Sequence, residues 1–199
     1  MDYVYCLARP HDREMTDIFA YLKARRFRRR IALLHRSLGI PADYAQRCGL
    51  PLQPEARRLV SIGQDIYRRE QRLLEPAARA WRAMVRAADD DGVHIELVSA
   101  YRSVAYQEGI LRRKVEKGLA IGEILRVSAA PGFSEHHSGR AVDLTTPGYP
   151  PLEEVFEESD AFAWLNQHAA AYGFRLSFPR DNPYGVIYEP WHWAWRDDA

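Results

Sequence analysis

Three short segments hold most of the residues able to do chemistry in this chain. The first, Phe133-Ser-Glu-His-His-Ser-Gly-Arg-Ala-Val-Asp-Leu144, offers His136 and Asp143 with Gly139 between them. Nitrogen and oxygen donors of this kind suit zinc, and a catalytic zinc keeps one coordination position open for water. Along a plain strand, positions seven apart face opposite sides. A turn at Gly139 would let both side chains reach one metal. Taken alone, the His136-His137 pair fits a surface loop as well as a ligand site. The second segment, Glu189-Pro-Trp-His-Trp193, supplies His192 as a third donor. Glu189, three residues earlier, could take a proton from metal-bound water, although the helical H-E-x-x-H pattern of many zinc hydrolases is absent. Trp191 and Trp193 would wall such a site, a role compatible with their simpler one as core aromatics. The third segment, Tyr101-Arg-Ser-Val-Ala-Tyr-Gln107, offers Arg102 for a carboxylate or a developing oxyanion, with Gln107 one turn on as a neutral donor.

The elements that must position these groups are mixed. Met15, Ile18, Phe19 and Leu22 fall at helical spacing, and Phe27, Ile31, Leu34 and Leu38 continue the stripe to a stop at Gly39. Lys23 to Arg30 between them reads as the solvated back of an amphipathic helix, with an anionic partner as the alternative. The sequence predicts a second helix over 55–74 and a third from Pro76 through Ala88. Residues 93–98 alternate as a strand, and 104–116 and 121–127 read as helices. Strands are predicted at 140–144, 174–178 and 185–188. A helix capped by Ser159 or Asp160 carries Phe162, Leu165, Ala169 and Tyr172, with Gly173 as its stop. Without a regular βαβ alternation, the expected class is α+β: a mainly antiparallel sheet flanked by helices, with an N-terminal helical extension. The expected organisation is a helical region over 1–60, packed on the core through Ile18, Phe19, Leu22, Ile31 and Leu34, and a catalytic domain over 61–199.

Composition narrows the function classes. The 199 residues are 47% hydrophobic, and 28 Lys and Arg face 27 Asp and Glu, a net charge of +1. That balance gives no global reason to expect nucleic-acid binding. No apolar run is long enough for a membrane span. The first ten residues carry no basic, apolar secretory pattern, so a cytoplasmic location is expected. Cys6 and Cys48 are too few for a disulfide framework and are expected to be small buried hydrophobes.

Ser134-x-His136-x-x-Gly139-x-Ala141-x-Asp143 resembles the S-x-H-x-x-G-x-A-x-D signature of the VanY-type D-alanyl-D-alanine carboxypeptidases, zinc peptidases with the hedgehog-like fold. Glu189-Pro-Trp-His192 resembles that family's E-P-W-H segment. Ser99-Ala-Tyr-Arg-Ser103 with Gln107 resembles its S-G-Y-R-S-x-x-x-Q segment, Ala100 replacing the usual Gly. The resemblance spans about residues 65–199. It implies one zinc per chain held by His136, Asp143 and His192, with Glu189 as catalytic base and Arg102 as a further catalytic group. It also implies that Arg102, Gln107 and Ser134 hold the substrate's terminal carboxylate or scissile carbonyl, with Trp191 at the substrate. His137 and Ser138 are not ligands in this pattern.

The expected activity is removal of C-terminal D-Ala from peptidoglycan stem peptides. Both D,D- and L,D-cleaving enzymes share these motifs. A cytoplasmic enzyme cutting D,D-bonds would destroy wall precursors, so the expectation tilts to L,D-trimming of tetrapeptides in wall recycling. The rivals are D,D-carboxypeptidase, a phage-lysin-like endopeptidase, a non-enzymatic zinc module, and nucleic-acid binding through residues 23–30.

Overall fold

The computed structural model describes residues 10–197, with side chains from Ile18 onward except Ala20. Cys6 and the Met15 side chain lie outside the described residues. Helix α1 (Pro10–Ser37) ends where expected, at Gly39 with φ 69°, and a short α2 (Tyr44–Cys48) follows. Cys48 is buried and free, as a small hydrophobe should be.

The helix expected over 55–74 does not form. An antiparallel hairpin stands there instead, β1 (Leu59–Gln64) and β2 (Glu70–Leu74), with a register shift at Ser61 to Gly63. Its turn is fixed by Asp65, whose carboxylate accepts from the backbone of Tyr67 and Arg69 at 2.9 Å each and from Arg69 Nε at 2.7 Å. An Asp that satisfies its own following backbone favours a turn over a helix interior. Buried Gln71 ties the hairpin to the sheet, donating to Asp65 and accepting from the Ala100 amide.

Helix α3 (Glu75–Asp90) begins with Pro76 in its first turn and buries Ala77, Trp81, Met84 and Ala88. Strand β3 (Glu96–Ser99) leads through residues 100–103 to α4 (Val104–Glu116), capped by the Ser103 hydroxyl on the Tyr106 amide. A short α5 (Ile121–Ile124), β4 (Ala141–Thr145), α6 (Asp160–His168), β5 (Phe174–Leu176) and β6 (His192–Trp195) follow. Ser159 caps α6 as expected, its hydroxyl accepting from the Phe162 amide. The strand expected at 185–188 is irregular: the Asn182 amide takes the Val186 carbonyl at 2.8 Å, and the Ile187 amide bonds to Arg126 rather than to a strand.

The four-stranded sheet is antiparallel in the order β3-β4-β6-β5. Its register puts Val142 opposite Trp193 and Asp143 opposite His192. Because neighbouring side chains alternate across a sheet, the two faces differ. Val142, Leu144 and Trp193 enter the main core with Trp81, Met84, Leu165 and Phe174. Each such large side chain contributes roughly 1.5–3 kcal/mol on burial. Asp143 and His192 point the other way, so the main core rigidly backs both.

A second cluster joins α1 and α2 to the region around the site. Ile31, Leu38 and Tyr44 pack with Val104, Leu111, Phe133 and Phe178. Gly132, at φ 90°, approaches Ile31 so closely that a Cβ would sit 2.8 Å from its side chain. His35 adds a hydrogen bond from Nε2 to the Pro131 carbonyl at 2.8 Å. Of the α1 residues expected to pack on the core, Ile31 and Leu34 do so. Ile18, Phe19 and Leu22 are exposed. Among the described side chains, the cluster extends along α1 only from Phe27 onward.

Candidate active site

His136 sits on a single 3-10 turn, Glu135–Ser138, that begins at Ser134 and ends at Gly139. Gly139 adopts φ 66° and reverses the chain into β4, so His136 and Asp143 converge although they are seven residues apart. A Cβ at Gly139 would lie 2.7 Å from Leu59 Cδ2 and 3.1 Å from the Leu74 amide nitrogen. Gly139→Ala should therefore lower stability by more than the roughly 1–2 kcal/mol of a left-handed non-glycine residue. Thermal unfolding would show a drop of several degrees, and an unchanged melting temperature would contradict the tight turn.

The donor atoms of His136, Asp143 and His192 all lie within 4.8 Å of one another, and all three residues are buried. Both imidazoles are oriented from behind. His136 Nδ1 donates to the Ala100 carbonyl at 2.6 Å, leaving the Nε2 lone pair facing Asp143 at 3.2 Å. His192 directs Nδ1 to Asp143 Oδ1 at 2.9 Å and Nε2 to Glu135 Oε2 at 3.0 Å. The second-position bonds to Ala100 and Glu135 are of the kind that fix the tautomer and aim of metal-binding imidazoles.

His137 has no such freedom. Its Nδ1 donates to the Arg102 carbonyl at 2.7 Å, and its Nε2 accepts from the Gly132 amide at 3.0 Å. One ring nitrogen ties the turn to the 100–103 segment and the other ties it to the loop at Gly132, which leaves neither for a ligand.

Arg102 reaches the same cluster. Its guanidinium donates to His136 Nε2 at 2.6 Å and to Asp143 Oδ2, while Nε donates to Ser99 Oγ at 3.1 Å. Gln107, fully buried, accepts from Arg102 at 3.5 Å and donates to the Ala129 carbonyl at 2.9 Å. Ser134 is buried at the start of the turn. Glu189 stands at the rim of the cluster, its carboxylate 3.9 Å from His192 Nδ1. The chain folds back there, with the His192 amide on the Glu189 carbonyl and the Glu189 amide on Phe178.

The electrostatics separate these groups. Burial pushes the Glu189 carboxyl up to about 7, and the nearby Asp143 carboxylate adds to this against the pull of His192 and Arg102. For His192 burial works the other way, yet its hydrogen bonds to two carboxylates outweigh it and raise the imidazole to about 10. Burial, with Arg102 close by, lowers His136 to about 4. Asp143 is held well below the usual carboxylate range: burial opposes its charge, but His136 and Arg102 prevail.

Trp191, one residue before β6, is buried in the main core with Trp193. Glu135, absent from the sequence-based site, is central to it. This buried carboxylate holds His192 on one oxygen and Arg196 on the other, at 2.6 Å. Only the pairing of β6 beside the turn brings these three together, so spacing gives no sign of it.

The VanY family model, described as D-alanyl-D-alanine carboxypeptidase, matches residues 70–198. This chain belongs to the VanY family. Among its VanY relatives, the putative carboxypeptidase YodJ of Bacillus subtilis is 30% identical over 81% of this chain and 58% of its own length. A D-alanyl-D-alanine carboxypeptidase of Enterococcus faecalis is 32% identical over 55% of this chain and 42% of its own. The chain thus spans about half the length of these curated relatives. The fold is similar to the LD-carboxypeptidase LdcB, solved for its peptidoglycan recognition, with a TM-score of 0.65 and 28% identity over 73% of this chain and 71% of that one. It is also similar to a Zn(II) complex of a mutant VanY D,D-pentapeptidase, with a TM-score of 0.57 and 26% identity over 72% and 82% of the two chains. The VanY match begins at β2, leaving α1 and α2 outside it.

Proposed function

We propose that this VanY-family protein is a zinc carboxypeptidase that removes C-terminal D-Ala from peptidoglycan stem peptides, with the L,D-bond of tetrapeptides preferred. The observation that carries the reading is the convergence of His136, Asp143 and His192 with the Glu189 carboxylate beside them. Two imidazoles oriented from behind and one carboxylate fit a catalytic zinc that retains an open position. When bound, zinc would lower the pKa of its water and polarise the scissile carbonyl. Glu189, poised near neutrality, accepts the proton of the attacking water and returns it to the leaving amine. Arg102 faces the cluster with its charge fixed by Gln107 and Ser99, where it can meet an oxyanion or a terminal carboxylate. Ser134 would add a hydroxyl on the same side. The likeness to LdcB supports the L,D preference, while the family description favours D,D-cleavage as the second reading.

Defined stem tetrapeptides and pentapeptides, each as free acid and C-terminal amide, separate the readings by product mass. The tetrapeptide acid should lose one D-Ala and its amide should resist. Loss of one residue from the pentapeptide with the tetrapeptide intact would replace L,D- with D,D-cleavage. Equal cleavage of amides and acids would make the protein an endopeptidase.

Metal uptake should also carry a proton signature. Raised to about 10, His192 is protonated at neutral pH in the metal-free protein. Ligation requires the neutral ring, so zinc binding should release about one proton, and its apparent affinity should climb with pH through the neutral range. Zinc titration calorimetry in buffers of different ionisation enthalpy measures this. Uptake without proton release would contradict the assignment of His192.

A further inference from the structure

Helix α1 carries a surface that the catalytic reading leaves unused. Residues 18–36 contain seven Lys and Arg and no Asp or Glu, in a chain whose total charge is only +1. The same stretch exposes large apolar side chains: Ile18 at 54%, Leu22 at 42% and Leu33 at 58%, with Phe19 and Tyr21 also exposed. At 3.6 residues per turn, Ile18, Leu22, Arg25, Arg29, Leu33 and Arg36 fall in one narrow stripe. That stripe is opposite the face that buries Ile31 and Leu38 in the second cluster, and all six residues are exposed. Among the described residues, Arg30 of this set pairs with Glu55 at 3.3 Å.

A solvated back would be polar throughout. Here aliphatic side chains and arginines share the outward face of a helix that extends beyond the core. That combination has two complementary requirements in a partner: negative charge for the arginines and an apolar layer for Ile18, Leu22 and Leu33. An anionic lipid surface supplies both at the right depth, since arginine stems lie along apolar groups while their heads reach the phosphates. A nucleic-acid backbone would use the charge but leave the aliphatic side chains in water.

We propose that the outer face of α1 docks the protein on an anionic membrane surface, lying along the lipid headgroups without crossing the bilayer. Its arginines engage lipid phosphate groups, and Ile18, Leu22 and Leu33 enter the headgroup boundary. The peptidase site is on other elements and stays free to turn over peptides. The docking therefore stands whether or not the proposed hydrolysis is correct.

The test is sedimentation of the full chain with vesicles of phosphatidylglycerol and phosphatidylcholine in equal parts, against vesicles of phosphatidylcholine alone. At about 0.1 M salt the anionic vesicles should bind at least about tenfold more tightly, and the difference should shrink steeply as salt rises. The double variant Arg25→Glu with Arg29→Glu should lose about tenfold or more in vesicle affinity. Ile18→Ser with Leu22→Ser should lose a comparable amount at fixed charge. Both variants alter exposed positions, so their melting temperature and peptide turnover in free solution should match the parent. Equal binding to both vesicle types, or undiminished binding by either variant, would overturn the proposal. So would a DNA duplex that binds more tightly than the anionic vesicles and is unaffected by the serine variant.

Discussion

Glu189→Gln should reduce turnover by at least about a hundredfold while leaving zinc occupancy near that of the parent. The substitution keeps the size of the side chain and removes its ability to accept a proton. Glu189 is 3.9 Å from His192 and is not one of the three clustered donors, so the metal set survives its neutralisation. Its burial matters to the result. Burial raises this carboxyl above the usual carboxylate range in the metal-free chain, which favours proton uptake, and glutamine cannot accept a proton at any pH. Near-normal turnover in Glu189→Gln would remove this residue from the mechanism. Loss of zinc along with turnover would move it into the metal set.

Substitution of the donors should do the opposite, removing metal first and activity with it. His136→Ala, Asp143→Ala and His192→Ala should each lower zinc content well below one per chain. Asp143→Ala should be the most damaging. In the metal-free chain its two oxygens hold Arg102 and His192, and His136 lies 3.2 Å away. Without that carboxylate, two cationic groups are left buried side by side. Removing one partner of a buried charged pair typically costs about 3–5 kcal/mol. Asp143→Ala should therefore lower the melting temperature before metal is added, whereas Asp143→Asn should lower it less. Full zinc retention in all three alanine variants would contradict the donor set.

The site was largely legible because its signals are short and local. His136, Gly139 and Asp143 lie within eight residues, and a left-handed glycine is what such a reversal needs. Glu189 and His192 are similarly compact. What escaped is whatever depends on long-range pairing. Glu135 acts on His192, 57 residues away, through the neighbouring strand. Trp191 stands in the main core beside Trp193, a placement that local spacing does not reveal. The fold shows the same pattern. Capped helices such as α6 and the strands β3 and β4 stand near their expected places. The apolar spacing over 59–74 suits a helix and a hairpin alike, and the Asp65 turn and the Gln71 link to Ala100 select the strands. The periodicity of α1 correctly marked a helix, but no periodicity tells where along its length the core stops.

The central claim is that one zinc at His136, Asp143 and His192 makes this chain a carboxypeptidase. Its most direct test is to strip the protein with chelator and measure D-Ala release from a stem tetrapeptide as zinc is returned stepwise. Release should be absent without metal, rise in proportion to zinc and level off at one equivalent per chain. Undiminished release from the stripped protein, or none at any zinc level from the tetrapeptide and from the matching pentapeptide alike, would contradict it.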